Sequence, residues 1–326
     1  MDRRAFIEAS VGVIASGTLA GCAARSSRAS VQTMTTAPMD ARAFHAARRF
    51  AELPSGRIAY VERGAGDVAL FLHGYPLNGF QWRGALERLS PYRRCIAADF
   101  MGLGYSEIPA AQSVAPDAQV VMLVELLDSL RISKVDLIGN DSGGAVAQLF
   151  VTGYPDRVRT LLLTNTDAEH DSPPPPFLPI IEAARAHTFA DRSIVRALAD
   201  KELTRSRDGM GGAYIDPAHL TDEIIEVYFR PLVSSPLRKS QLDAYAIALG
   251  KNWLEGIEPA LRRSTVPTRI VWGMADDIFS PADPDWLDHA FGNSRGVRRV
   301  EGAKLFFPEE LPDLIAEEAR RLWGVM

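Results

Sequence analysis

Apolar residues recur along this chain in two alternating rhythms. From about Ser55 onward, "GRIAYVERG" alternates apolar and polar positions, the period of a half-buried strand, and closes on Gly64. "VALFLHG", "RRCIAADF", "KVDLIGN" and "RVRTLLLTN" are short continuous apolar runs, the pattern of strands buried on both faces. Between them, "FQWRGALERL", "DAQVVMLVELLDSLRI" and "GGAVAQLFVTGYP" space their apolar residues three and four apart, as amphipathic helices do. Strand and helix therefore alternate, which predicts an α/β fold with a mostly parallel, doubly wound sheet. The alternation stops from about Ala168 to Trp253, where "SPPPPFLP" is followed by helical patches such as "IIEAARAH", "DEIIEVYF" and "LDAYAIAL". A stretch this long and this helical is not a loop, so it predicts an inserted helical cap over residues 168–253. "VPTRIVWG", "PDWLDHAF", "GVRRVEG" and "PDLIAEEARRLW" then resume the alternation, giving a core made of 47–167 and 254–326.

The first residues follow neither rhythm. "MDRRAFIEASVGVIASGTLAGC" carries Arg3 and Arg4, then a short run of small apolar residues from Val11 to Leu19, then Cys22. This resembles a twin-arginine export signal joined to a bacterial lipoprotein cleavage box. The resemblance implies removal of residues 1–21, a lipid on the Cys22 sulfur and residence in the periplasm or cell envelope. That lipid would be the sole membrane link, since the sequence has no apolar run of 18 residues. Residues 22–46, rich in Ala, Ser, Thr and Arg, read as a flexible tether. The net charge of −5 argues against nucleic acid as a partner. Cys22 and Cys95 are the two cysteines, so a lipid on the first leaves no disulfide to staple the fold.

One strand-to-helix junction stands out. In "LIGNDSGGAV", a tight turn between a strand and a helix strains its apical residue and demands small residues two before and two after. With Asp141 at the apex those flanks are Gly139 and Gly143; with Ser142 they are Asn140 and Gly144. Sterics favour Asp141, placed beyond the carboxyl end of a strand, where doubly wound sheets bind ligands. The plainer alternative is a turn in which Asp141 only caps the next helix.

With those elements in order, from about Arg57 to Trp323, the chain resembles an α/β-hydrolase, and most closely the haloalkane dehalogenases and epoxide hydrolases. "LHGYP" (72–76) is similar to the family's oxyanion loop, "WR" (Trp82, Arg83) follows it as in dehalogenases, and "DFMGLGYS", "GNDSGG", "TNTD" and "VWGMADD" come in the family's order. The resemblance implies a small-molecule hydrolase without metal or cofactor. Asp141 would attack an sp³ carbon and form an ester, with the N–H groups of Tyr75 and Ser142 as its oxyanion hole. Trp82 and Tyr228 would contact substrate, with Tyr214 and Tyr245 as further cap tyrosines able to protonate a leaving oxygen. Asp276 would be the acid that orients the base, with Asp277 or the more distant Asp167 as alternatives.

The base itself departs from the family. In relatives a His precedes the last helix; here "VEGAKLFFPEELP" places Leu305 at that position. Lys304, if desolvated by "LFF", and His170, at the cap entrance, are the candidate substitutes. His73, in the oxyanion loop, reads as structural. Two other outcomes stay open at this level: a ligand-binding relative impaired in turnover, and an esterase using Ser142.

Overall fold

The computed structural model describes residues 39–325. The export-signal pattern, Cys22 and most of the expected tether lie outside them. Among the described residues the eight strands are β1 (Arg48–Leu53), β2 (Gly56–Arg63), β3 (Val68–Leu72), β4 (Arg94–Ala98), β5 (Val135–Asn140), β6 (Val158–Thr164), β7 (Thr268–Gly273) and β8 (Ser294–Val300). They form one sheet in the order β1-β2-β4-β3-β5-β6-β7-β8. The first two pairings, β1 with β2 and β2 with β4, are antiparallel, and all others are parallel. Every residue of β3 and β5 is buried, because helices cover both faces of the sheet there. Among the described residues no helix is long and apolar enough to cross a membrane.

The end of the expected tether corrects the sequence reading. Residues 41–47 form a helix, α1, whose N-cap Asp40 accepts the Ala43 N–H at 2.7 Å. Phe44 is buried edge-on against Phe80, with ring centroids 5.2 Å apart. One aromatic anchor and one cap suffice to dock a segment whose composition reads as linker. β1 follows directly and was also not expected. It is an edge strand with Ala51 as its one fully buried residue, so it carries no apolar rhythm.

Register carries the site. Leu72 pairs with Gly139, Gly139 with Leu163, Asn140 with Thr164, and Thr164 with Val271. The carboxyl ends of β3, β5, β6 and β7 thus end level with one another. They deliver Tyr75, Asp141, Asp167 and Asp276 to the same edge of the sheet. Between β6 and β7 the described chain makes helices and turns, including Leu178–Arg185, Asp222–Phe229 and Pro236–Ala248. Those helices cover that edge.

Candidate active site

β5 passes into α4 (Ser142–Gly153) through a single residue, Asp141, at φ 55° and ψ −134°. This is a conformation that L-residues rarely hold without support, so the apex of the turn is Asp141 and not Ser142. The glycines around it are enforced by crowding. A Cβ at Gly139 would lie 2.8 Å from the Gly143 carbonyl, and one at Gly143 would lie 2.5 Å from the Leu72 carbonyl. Asn140 is tolerated because its side chain points away, into a buried amide relay. Gly74 N–H donates to Gln81 Oε1 (2.9 Å), Gln81 Nε2 to Asn140 Oδ1 (2.6 Å), and Asn140 Nδ2 to the Leu305 carbonyl (3.1 Å). Oxyanion loop, elbow and the loop before the last helices are thereby fixed to one another.

Two backbone N–H groups converge on one oxygen of the nucleophile candidate. Tyr75 N–H donates to Asp141 Oδ1 at 2.9 Å, and Ser142 N–H, the first of α4, donates to the same oxygen. The loop after β6 clasps the other side of the elbow. Asp141 N–H donates to the Asn165 carbonyl (2.7 Å), and Thr166 Oγ1 donates to the Asp141 carbonyl (2.8 Å). Burial pushes the Asp141 carboxyl up to about 7, against the pull of its N–H donors and with help from the charge of Asp167.

A cavity of about 30 Å³ opens onto this carboxyl, lined by Asp141, Ser142 and Asp167 on one side and by Pro174, Phe177, Leu249 and Phe279 on the other. That is room for about one water. The cap helix Pro236–Ala248 brings Tyr245 beside the elbow, just outside the lining of that cavity. Its ring stacks on Tyr75 with centroids 5.5 Å apart. Its hydroxyl is buried beside Ser142 and near the charges of Asp141 and Asp167, and burial foremost pushes its pKa up. Neither the Tyr245 hydroxyl nor Ser142 Oγ has a hydrogen bond of good geometry. Tyr75 OH is buried and unpartnered as well.

The matching family model describes the alpha/beta hydrolase fold and covers residues 68–209. The 2-hydroxymuconate semialdehyde hydrolase of Pseudomonas sp. strain CF600 is 28% identical over 259 residues, 75% of this chain and 86% of the relative. Haloalkane dehalogenase 2 of Mycobacterium bovis is 25% identical over 299 residues, 86% and 93% of the two chains. The solved structure of epoxide hydrolase CorEH without ligand superposes with a TM-score of 0.68 at 25% identity, covering 85% of this chain and 98% of that one. The chain has the α/β-hydrolase fold. It is a hydrolase by its relatives, similar to the dehalogenase and epoxide hydrolase branch.

Within this α/β-hydrolase fold the expected site residues divide. Asp141, Ser142 and Tyr75 come together as described. Asp276 sits at the end of β7, where it accepts Asn165 Nδ2 at 2.7 Å and the Ile278 N–H at 3.0 Å. It does not line the cavity. Both substitute bases are elsewhere. Lys304 makes an ion pair with Asp277 at 2.5 Å. His170 lies 3.2 Å from Asp283, against Trp286, and lines a separate open groove of about 430 Å³. Leu305 is buried, and the neighbouring Phe306 ring lies against Gly74, whose other neighbour is Asp141. Trp82 is buried in the core against Phe71, with centroids 5.6 Å apart, and does not line the cavity. Tyr228 packs on Phe80 near the Arg83–Glu309 pair, not on Asp141; the cap tyrosine beside Asp141 is Tyr245. The signal for Tyr245 was present. Gln241, Leu242, Tyr245 and Ala246 form the buried stripe of their helix. His73 is structural: its Nε2 accepts the Phe100 N–H (3.0 Å), so Nδ1 donates to the Gly74 carbonyl (2.9 Å).

Proposed function

We propose that this protein is an epoxide hydrolase that works through a covalent ester on Asp141. The observation that carries the reading is the pair of N–H donors on Asp141 Oδ1. They hold one oxygen where negative charge will develop in the second step and leave Oδ2 to attack an sp³ carbon. The choice of an epoxide over a haloalkane rests on the cap. Opening an epoxide leaves an alkoxide that needs a proton, whereas a halide leaves as a stable anion. Tyr245 places a buried O–H beside Ser142 and near the nucleophile without a hydrogen bond of good geometry, and an epoxide oxygen would satisfy it. An epoxide is larger than the present cavity, so it enters only as Phe177 and Leu249 of the cap give way.

A single turnover of a terminal epoxide in H₂¹⁸O tests this. The label is expected in the Asp141 peptide and not in the first diol formed, because water attacks Cγ of the ester. Asp141→Asn is expected to form neither diol nor adduct. Label in the first diol, or diol formation by Asp141→Asn at the native rate, overturns the reading.

A further inference from the structure

We propose that Asp167 is the general base that hydrolyses the Asp141 ester, a role for which no histidine among the described residues lines the cavity. The inference rests on the reading of Asp141 as nucleophile.

Three consecutive residues after β6 carry the argument. Asn165 and Thr166 bond the backbone of Asp141 on both sides of its Cα, through the Asn165 carbonyl and Thr166 Oγ1. Asp167, the next residue, is therefore held at a fixed offset from the nucleophile, and its side chain lines the same water-sized cavity. Its own backbone is anchored, since Gln148 Nε2 of α4 donates to the Asp167 carbonyl at 2.8 Å. One carboxylate oxygen is oriented by Ser172 Oγ, which donates to Oδ1 at 2.9 Å. The cavity thus offers one water a polar wall of Asp141, Ser142 and Asp167, the two to four partners that a buried water needs. Among the described residues, Asp141 and Asp167 are the two titratable groups that line this cavity. Facing Asp167 from neighbouring elements are Asp141, Tyr245 and Asp171, with Asp283 beyond. Burial raises the Asp167 carboxyl to about 6, which makes its carboxylate a stronger base than an exposed one.

The steps balance as follows. Asp141 Oδ2 bonds the epoxide carbon, the C–O bond opens, and the alkoxide takes the Tyr245 proton. Asp167 then takes one proton from water as the water oxygen bonds Cγ of the ester. The charge on Oδ1 is met by the Tyr75 and Ser142 N–H groups. On collapse the Cγ–O(alkyl) bond breaks, and the departing oxygen takes the proton from Asp167. The proton left on Asp141 returns to the Tyr245 phenolate, and every group is restored.

The test is Asp167→Asn, followed by intact-mass spectrometry and diol release with 1,2-epoxybutane and styrene oxide. At about pH 8, where Asp141 is ionised in both chains, the variant is expected to alkylate at Asp141 and to accumulate the ester, with diol release slowed roughly 100-fold or more. Alkylation itself reports a folded site. In the native chain, ester hydrolysis is expected to rise with pH through about 6, and that rise to vanish in Asp167→Asn. Diol release by Asp167→Asn at the native rate overturns Asp167 as base while Asp141 stands. A native chain that stalls as the ester does the same. A native chain that gives neither ester nor diol overturns the nucleophile reading and this inference together.

Discussion

Asp141 pairs two demands that oppose each other. A carboxylate must be ionised to attack, yet burial in the elbow favours its neutral form, raising its pKa to about 7. Alkylation of the protein is therefore expected to be slow in mild acid and to rise with pH through about 7, in a profile read from the rate of adduct formation. A nucleophile with an ordinary carboxyl pKa would give a flat profile there. At this scale the sequence was informative about the elbow, because sterics act between neighbours: Gly139, Asp141 and Gly143 are a local pattern. It was uninformative about Asp167 as a base, since nothing local shows that a residue 26 positions on faces the same cavity.

Between elements, two cap residues latch onto a buried ion pair of the core. Arg83, the first residue of α2 (Arg83–Leu89), pairs with Glu309 in the short helix Phe307–Glu310. Tyr214 OH, from the cap, donates to Glu309 Oε2 at 2.9 Å, and His219 Nε2, also from the cap, lies 3.3 Å from Oε1. Burial alone would raise the Glu309 carboxyl, but Arg83 beside it holds it below the usual range. Glu309→Gln leaves the Arg83 charge buried without its counter-charge, so it is expected to cost roughly 3 kcal/mol or more, read by urea denaturation. The same substitution frees Tyr214 and His219, so proteolysis is expected to cut first within the cap. The strands and helices of the core were legible as elements, because burial on one face or two writes a period of 3.6 or a continuous apolar run. β1 and α1 were not, because an edge strand and a helix held by one Phe bury too few residues to write a period.

For the molecule as a whole, the site is a stability cost. Burial raises Asp141 to about 7, Asp167 to about 6 and Asp283 to about 7. Each folded-state value exceeds that of an unfolded carboxyl, so between the two values the folded chain holds protons that the unfolded chain has lost. Stability contributed by these groups is full below the unfolded pKa and falls as pH rises through the folded one. Melting temperature is thus expected to decline between about pH 5 and about pH 8, and Asp141→Asn to melt several degrees higher than the native chain at about pH 8 but not at about pH 5. An Asp141→Asn chain whose Tm tracks the native one across that interval contradicts the assignment. Read alone, the sequence determined the α/β class, the helical stretch after β6 and the Asp141 apex, because each is written in spacing along the chain; the missing histidine was legible only through the resemblance to relatives. The tertiary structure decided which cap tyrosine meets Asp141, that Lys304 and His170 are engaged with Asp277 and Asp283 elsewhere, and that Asp167 shares the nucleophile's cavity. Those facts depend on how the ends of β5, β6 and β7 fall level under the cap, a matter of register and packing that no single stretch of sequence encodes.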